Sequence, residues 1–78
     1  MKTGIKDEID LHGRRVAEAE EVFFEVLNEV RMKGKPREVV FITGPGKIQE
    51  RFKGLAKEHD LNAYIPLANR GCLIVEFE

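Results

Sequence analysis

A chain of 78 residues has room for one small core and no second domain. With 42% apolar and 35% charged residues it lies outside the disordered range, and a net charge of −1 argues against a polyanion binder that works by bulk charge. A single cysteine, Cys72, excludes an internal disulfide and a cysteine-built zinc site.

The opening "MKTGIKDE" has no apolar segment of a secretory signal, and no apolar run approaches the roughly 20 residues of a membrane span. Cysteine usage fits a reducing, cytoplasmic setting. The chain reads as one domain with its core at about 8–77, either a minimal protein or a module of a larger multidomain chain.

The first strand is expected at about 7–12, where Ile9 and Leu11 alternate with polar residues. A helix follows from about Arg15 to Lys33. Val16, Ala19, Phe23, Val26, Leu27 and Val30 fall within an arc of about 100° and form its core-facing stripe. Gly34 and Pro36 end it. The glutamates lie mostly outside the stripe, on a solvated face where a polyanion would not bind. A protein-interaction module built on that acidic face is a reading from charge alone.

Glu38 to Thr43 is the second strand. Its unbroken run Val39–Ile42 suits a central strand covered on both sides. The loop "GPGK" leads into a second helix, Lys47 to His59, with Ile48, Phe52, Leu55, Ala56 and His59 on one face. His59 there is a packed or capping histidine. The remainder reads as a hairpin: Ala63, Ile65 and Leu67 alternate, "ANRG" turns, and Leu73, Val75 and Phe77 alternate. Pro66 cannot donate to a ladder, which puts the third strand at an edge or a bulge. Cys72 reads as structural, and Tyr64 as a surface aromatic or a stacking platform on an open sheet.

Right-handed crossovers make the first two strands parallel, so their carboxyl ends share one edge. In open α/β sheets, ligands bind there. At that edge stand "DLHGRR" and "TGPGK". Asp10 and His12 fall on one face of a pleated strand, separated by roughly 6.6 Å. A water or phosphate oxygen fits between them, and a direct hydrogen bond needs side-chain adjustment. Histidine titrates near neutrality and serves as acid or base. A carboxylate can orient it or bind a metal. An exposed polar pair fits the same pattern. In the second turn, Gly44 and Gly46 let a ligand approach the main chain, the helix start binds anions, and Lys47 adds a charge. One residue between the glycines, and Ile48 after the lysine, exclude a nucleotide P-loop.

"IDLHG", then "VVFITGPG" about 30 residues on, then "RGCLIVEF", together resemble the small MutS-related (Smr) domain family. The resemblance runs from about Glu8 to Phe77. It implies an α/β (α+β) fold: a two-layer βαβαββ sandwich with a mixed four-stranded sheet and two helices, similar to the C-terminal domain of bacterial translation initiation factor three. It also implies nucleic-acid binding, with DNA nicking or RNA cleavage. The family's acid and histidine carry over to Asp10 and His12, and its glycine loop to Thr43, Gly44 and Gly46. Phosphates would be held by Gly13, Arg14, Arg15, Thr43, Gly44, Gly46 and Lys47. Asp10 would orient His12, position a water or 2′-hydroxyl, or hold a divalent metal such as Mg²⁺. Many members carry a basic residue where this chain has Pro45, and a longer polar insertion where Lys47 and Ile48 stand. That departure and the low net charge are the ground for the alternative, a non-catalytic RNA- or ribosome-binding module on the same fold.

Overall fold

The computed structural model describes residues 6–78. The elements run β1 (Lys6–Asp10), α1 (Val16–Lys33), β2 (Arg37–Ile42), α2 (Lys47–Glu58), β3 (Asn62–Tyr64) and β4 (Cys72–Phe77). The strands form one mixed sheet in the order β1-β2-β4-β3. β1 and β2 are parallel, and β4 is antiparallel to both of its neighbours. This is the expected α+β sandwich. No helix among the described residues is long and apolar enough to cross a membrane.

Helix α1 forms where the stripe predicts it. Ala19, Phe23, Val26, Leu27 and Val30 are all buried. Its start is braced by Glu18, whose carboxylate accepts the Arg15 amide at 3.3 Å. Its end is closed by Gly34 in the left-handed region (φ 69°), which donates its amide to the Val30 carbonyl at 2.7 Å. Helix α2 presents Ile48, Phe52, Leu55 and Ala56 to the core. His59 caps it, with its ring centroid 5.8 Å from that of Phe24 and 6.5 Å from that of Phe23.

Both helices pack on one face of the sheet, against Val39, Phe41, Leu73, Val75 and Phe77. The expectation that β2 is covered on both sides is therefore corrected. β2 is central in the sheet, but its burial alternates: Val39 and Phe41 are fully buried, while Val40 and Ile42 are half-buried on the other face. Apolar side chains on that second face rest on neighbouring strands rather than on another layer. Glu8, Glu38, Glu76 and Tyr64 share it by strand alternation.

Two boundaries also differ from the sequence reading. β1 stops at Asp10 rather than reaching residue 12, because the chain turns there. β3 is an edge strand, as expected, but it ends at Tyr64, so Pro66 lies outside it. Leu67, expected to alternate inward, is 99% exposed. The residues 65–71 between β3 and β4 form a loop at the same edge as the carboxyl ends of β1 and β2.

Candidate nucleic-acid interface

Three connections meet at this edge. The pairing of Asp10 with Ile42, and the Leu11 amide donated to the Ile42 carbonyl at 2.8 Å, set the β1–α1 turn beside the β2–α2 turn. Ile42 in turn pairs with Cys72, which brings the β3–β4 loop alongside.

In the first turn the Arg14 amide bonds the Leu11 carbonyl at 3.1 Å, and Gly13 takes φ 83°. A positive φ at the third residue of a turn is the position that favours glycine. The turn folds His12 back over the strand end. Its Nδ1 lies 2.6 Å from Asp10 Oδ1, and its backbone amide donates to the same oxygen at 3.1 Å. The expected gap between these residues is thus closed by direct contact. A pleated strand would hold the two side chains apart. A short aspartate side chain that captures the amide two residues on ends the strand and swings the imidazole in.

This geometry assigns the tautomer. An ionised carboxylate only accepts, so Nδ1 carries the hydrogen that faces it, and Nε2 is the nitrogen left to act on a ligand. The pair is exposed, with the imidazole side chain 69% accessible. The bond from the His12 ring, then the bond from the His12 amide, hold the Asp10 carboxyl below its ordinary range, and the charges of His12 and Arg14 add to this. Asp10 therefore stays ionised as a fixed orienting group. No three metal-ligating side chains cluster among the described residues. A cation at Asp10 would have one protein carboxylate, with one oxygen already engaged by His12.

The second turn is built differently from the sequence expectation. The amides of Thr43 and Gly44 both donate to the Gly71 carbonyl, at 3.0 and 2.9 Å. Pro45 has no amide hydrogen. Thr43 is buried, and its hydroxyl donates to the Gly44 carbonyl at 2.8 Å. Thr43 and Gly44 thus shape the turn rather than offer donors to a ligand. The donors that remain are the first amides of α2, which begins at Gly46–Lys47 without a side-chain cap. Lys47 and Gly46 are exposed there, as are Gly13, Arg14 and Arg15 on the first turn.

Gln49 is a residue that sequence reasoning missed. It is buried in the first turn of α2, and its Nε2 donates to the carbonyls of Arg70 at 2.9 Å and Cys72 at 3.2 Å. It locks the β3–β4 loop to the helix that follows the β2–α2 turn. The available signal was helical spacing: Gln49 falls three and seven residues before the buried Phe52 and Ala56. Gln49→Leu removes the donor and leaves two carbonyls short. Urea unfolding should then show a loss of about 1–2 kcal/mol. An unchanged midpoint would rule out the lock.

Charge sorts along the molecule. Arg14, Arg15, Lys47 and Arg70 stand at this edge, against Asp10, and none of the four makes an ion pair among the described residues. At the opposite edge Arg37 is bound by Asp7 and by Glu29, and Lys33 by Glu29. Arg51 is bound by Glu20. On the open sheet face the Tyr64 hydroxyl donates to Glu38 at 3.1 Å, which raises its pKa. That face also carries Glu8 and Glu76, so Tyr64 sits in an acidic surround that disfavours a polyanion. Cys72 is a buried free thiol, as expected of a structural residue.

A family model described as Smr domain matches residues 9–77. No curated protein and no solved structure gives a significant match.

Proposed function

Because the chain belongs to the Smr domain family, a family of nucleic-acid-binding, nuclease-like domains, we propose that it is a nucleic-acid-binding domain with endonuclease activity on DNA or RNA. The observation that carries this reading is the Asp10–His12 pair: a directly bonded carboxylate and imidazole at the edge where the cations and the α2 start gather. In the proposed reaction the backbone phosphate is held by the first amides of α2, Lys47, Arg14 and Arg15. His12 Nε2 takes the proton of an attacking water or 2′-hydroxyl. That oxygen bonds to phosphorus, the bridging P–O bond breaks, and the leaving oxygen takes a proton from solvent. Asp10 keeps Nε2 in the accepting tautomer and stabilises the imidazolium that forms. Lys47 and the amides offset the negative charge on the phosphoryl oxygens in the transition state.

The second reading, a non-catalytic RNA- or ribosome-binding module, is favoured by the engaged amides of Thr43 and Gly44 and by Pro45, which leave the glycine turn few donors. Labelled single- and double-stranded RNA and DNA, incubated with and without magnesium, separate the two. Cleavage that disappears in an Asp10→Ala, His12→Ala double variant is the expected result. Binding without cleavage favours the second reading, and no binding at low salt sinks both.

A further inference from the structure

Resting on that nucleic-acid reading, we infer that the β3–β4 loop is a specificity element for unpaired nucleotides, with Leu67 packing on a base and Arg70 on a neighbouring phosphate. The loop is a fixed frame. The Asn69 amide bonds the Pro66 carbonyl at 3.1 Å, and the Cys72 amide bonds the Asn69 carbonyl at 3.3 Å, so residues 66–72 form two turns in succession. The Asn69 side chain accepts the Gly71 amide at 2.9 Å. Gly71 and Gln49 then fasten the loop to the β2–α2 turn.

On this frame Leu67 is held in water at 99% exposure, at the second position of the first turn. It adds nothing to the core, and its whole side chain is open to a ligand that would gain by covering it. The nearest charged neighbour in the loop is Arg70, which is exposed and without an ion pair among the described residues. An exposed cation three positions from an exposed apolar side chain, in one fixed loop, matches a ligand that alternates anionic and apolar parts. A single strand does so, offering phosphates and free base faces. A duplex stacks those faces away and shows only base edges in its grooves.

The position fits an extended strand. β1 and β4 are two strand spacings apart, roughly 10 Å. A strand whose phosphate lies at His12 and the α2 start therefore reaches the loop within a few nucleotides. Leu67 acts on the flanking sequence, away from the reacting phosphate.

The test measures binding of a short labelled single-stranded RNA, and of the same sequence as a duplex, to the full chain and its variants. Leu67→Ala should weaken single-strand binding by about 3- to 10-fold and duplex binding by less than about 2-fold. Leu67→Phe should restore or exceed the original single-strand affinity. The salt dependence should be unchanged by Leu67→Ala and should shallow by about one unit of slope in Arg70→Ala. A Leu67→Ala protein that binds the single strand as well as the parent, or loses both substrates equally, overturns the inference while leaving the nucleic-acid reading intact. A parent chain that binds neither substrate overturns the reading itself, and the inference with it.

Discussion

His12→Ala is expected to lower cleavage by at least about 10²-fold while leaving nucleic-acid affinity within about 2-fold. The split follows from the geometry. The imidazole is one bond from Asp10 and offers Nε2 to the ligand, whereas the phosphate is held by other groups. Asp10→Asn is a different perturbation. Its amide oxygen can still accept the His12 backbone hydrogen, so the turn survives, but the negative charge that favours imidazolium is gone. The pH–rate profile then carries the diagnosis. The lowered pKa of Asp10 keeps it ionised across the neutral range, so Asp10 itself should not contribute to the acid limb, where protonation of the general base lowers the rate. In Asp10→Asn the limb should move to lower pH and the maximum should fall. Stability responds at the acid end. A carboxyl whose folded pKa is lowered stabilises the fold above its ordinary pKa, and that contribution disappears as pH falls through the lowered value. The stability difference between parent and Asp10→Asn should therefore vanish in acid and be complete at neutral pH. Identical pH–rate profiles would remove Asp10 from the mechanism.

The parts of this site differ in how far the sequence foretells them, and the difference is physical. Periodicity reports burial, so the α1 stripe and the α2 face are legible, and the crossover rule adds the parallel β1–β2 pairing and with it the edge where the two turns meet. Periodicity does not report where a strand stops. Alternation alone continues the pleat to His12, whereas a local side-chain bond from Asp10 ends it two residues earlier. Alternation likewise points Leu67 inward, although the chain leaves the sheet after Tyr64 and turns at Pro66. The greatest gap is the engagement of the Thr43 and Gly44 amides by Gly71. That contact joins residues nearly thirty positions apart, and nothing local in "TGPG" marks its amides as taken. A glycine turn shows in sequence as freedom of backbone. Whether its donors face a ligand or another loop is decided by tertiary pairing, here by β4 arriving beside β2.

Phe23→Ala should be the most destabilising single change in the core, at about 3–5 kcal/mol. Domains of this length are stable by roughly 4–12 kcal/mol, so the variant should melt about 15 °C or more below the parent. Phe23 is fully buried, with its ring centroid 5.1 Å from Phe52, 5.2 Å from Phe77 and 6.4 Å from Phe41. It thus joins α1 to α2, β2 and β4. Those elements carry the connections that build the site, so truncation leaves a cavity under all of them at once. Phe24 is the matched control. It is adjacent in sequence and its ring lies 5.7 Å from Phe23, yet it is 37% exposed. Phe24→Ala should cost about 1 kcal/mol. Only the helical spacing shared with Ala19, Val26, Leu27 and Val30 tells the two phenylalanines apart. Thermal melts of the two variants, read beside nucleic-acid binding at a temperature where only Phe23→Ala has unfolded, test that spacing directly. Equal melting points would mean that the α1 stripe does not set the core.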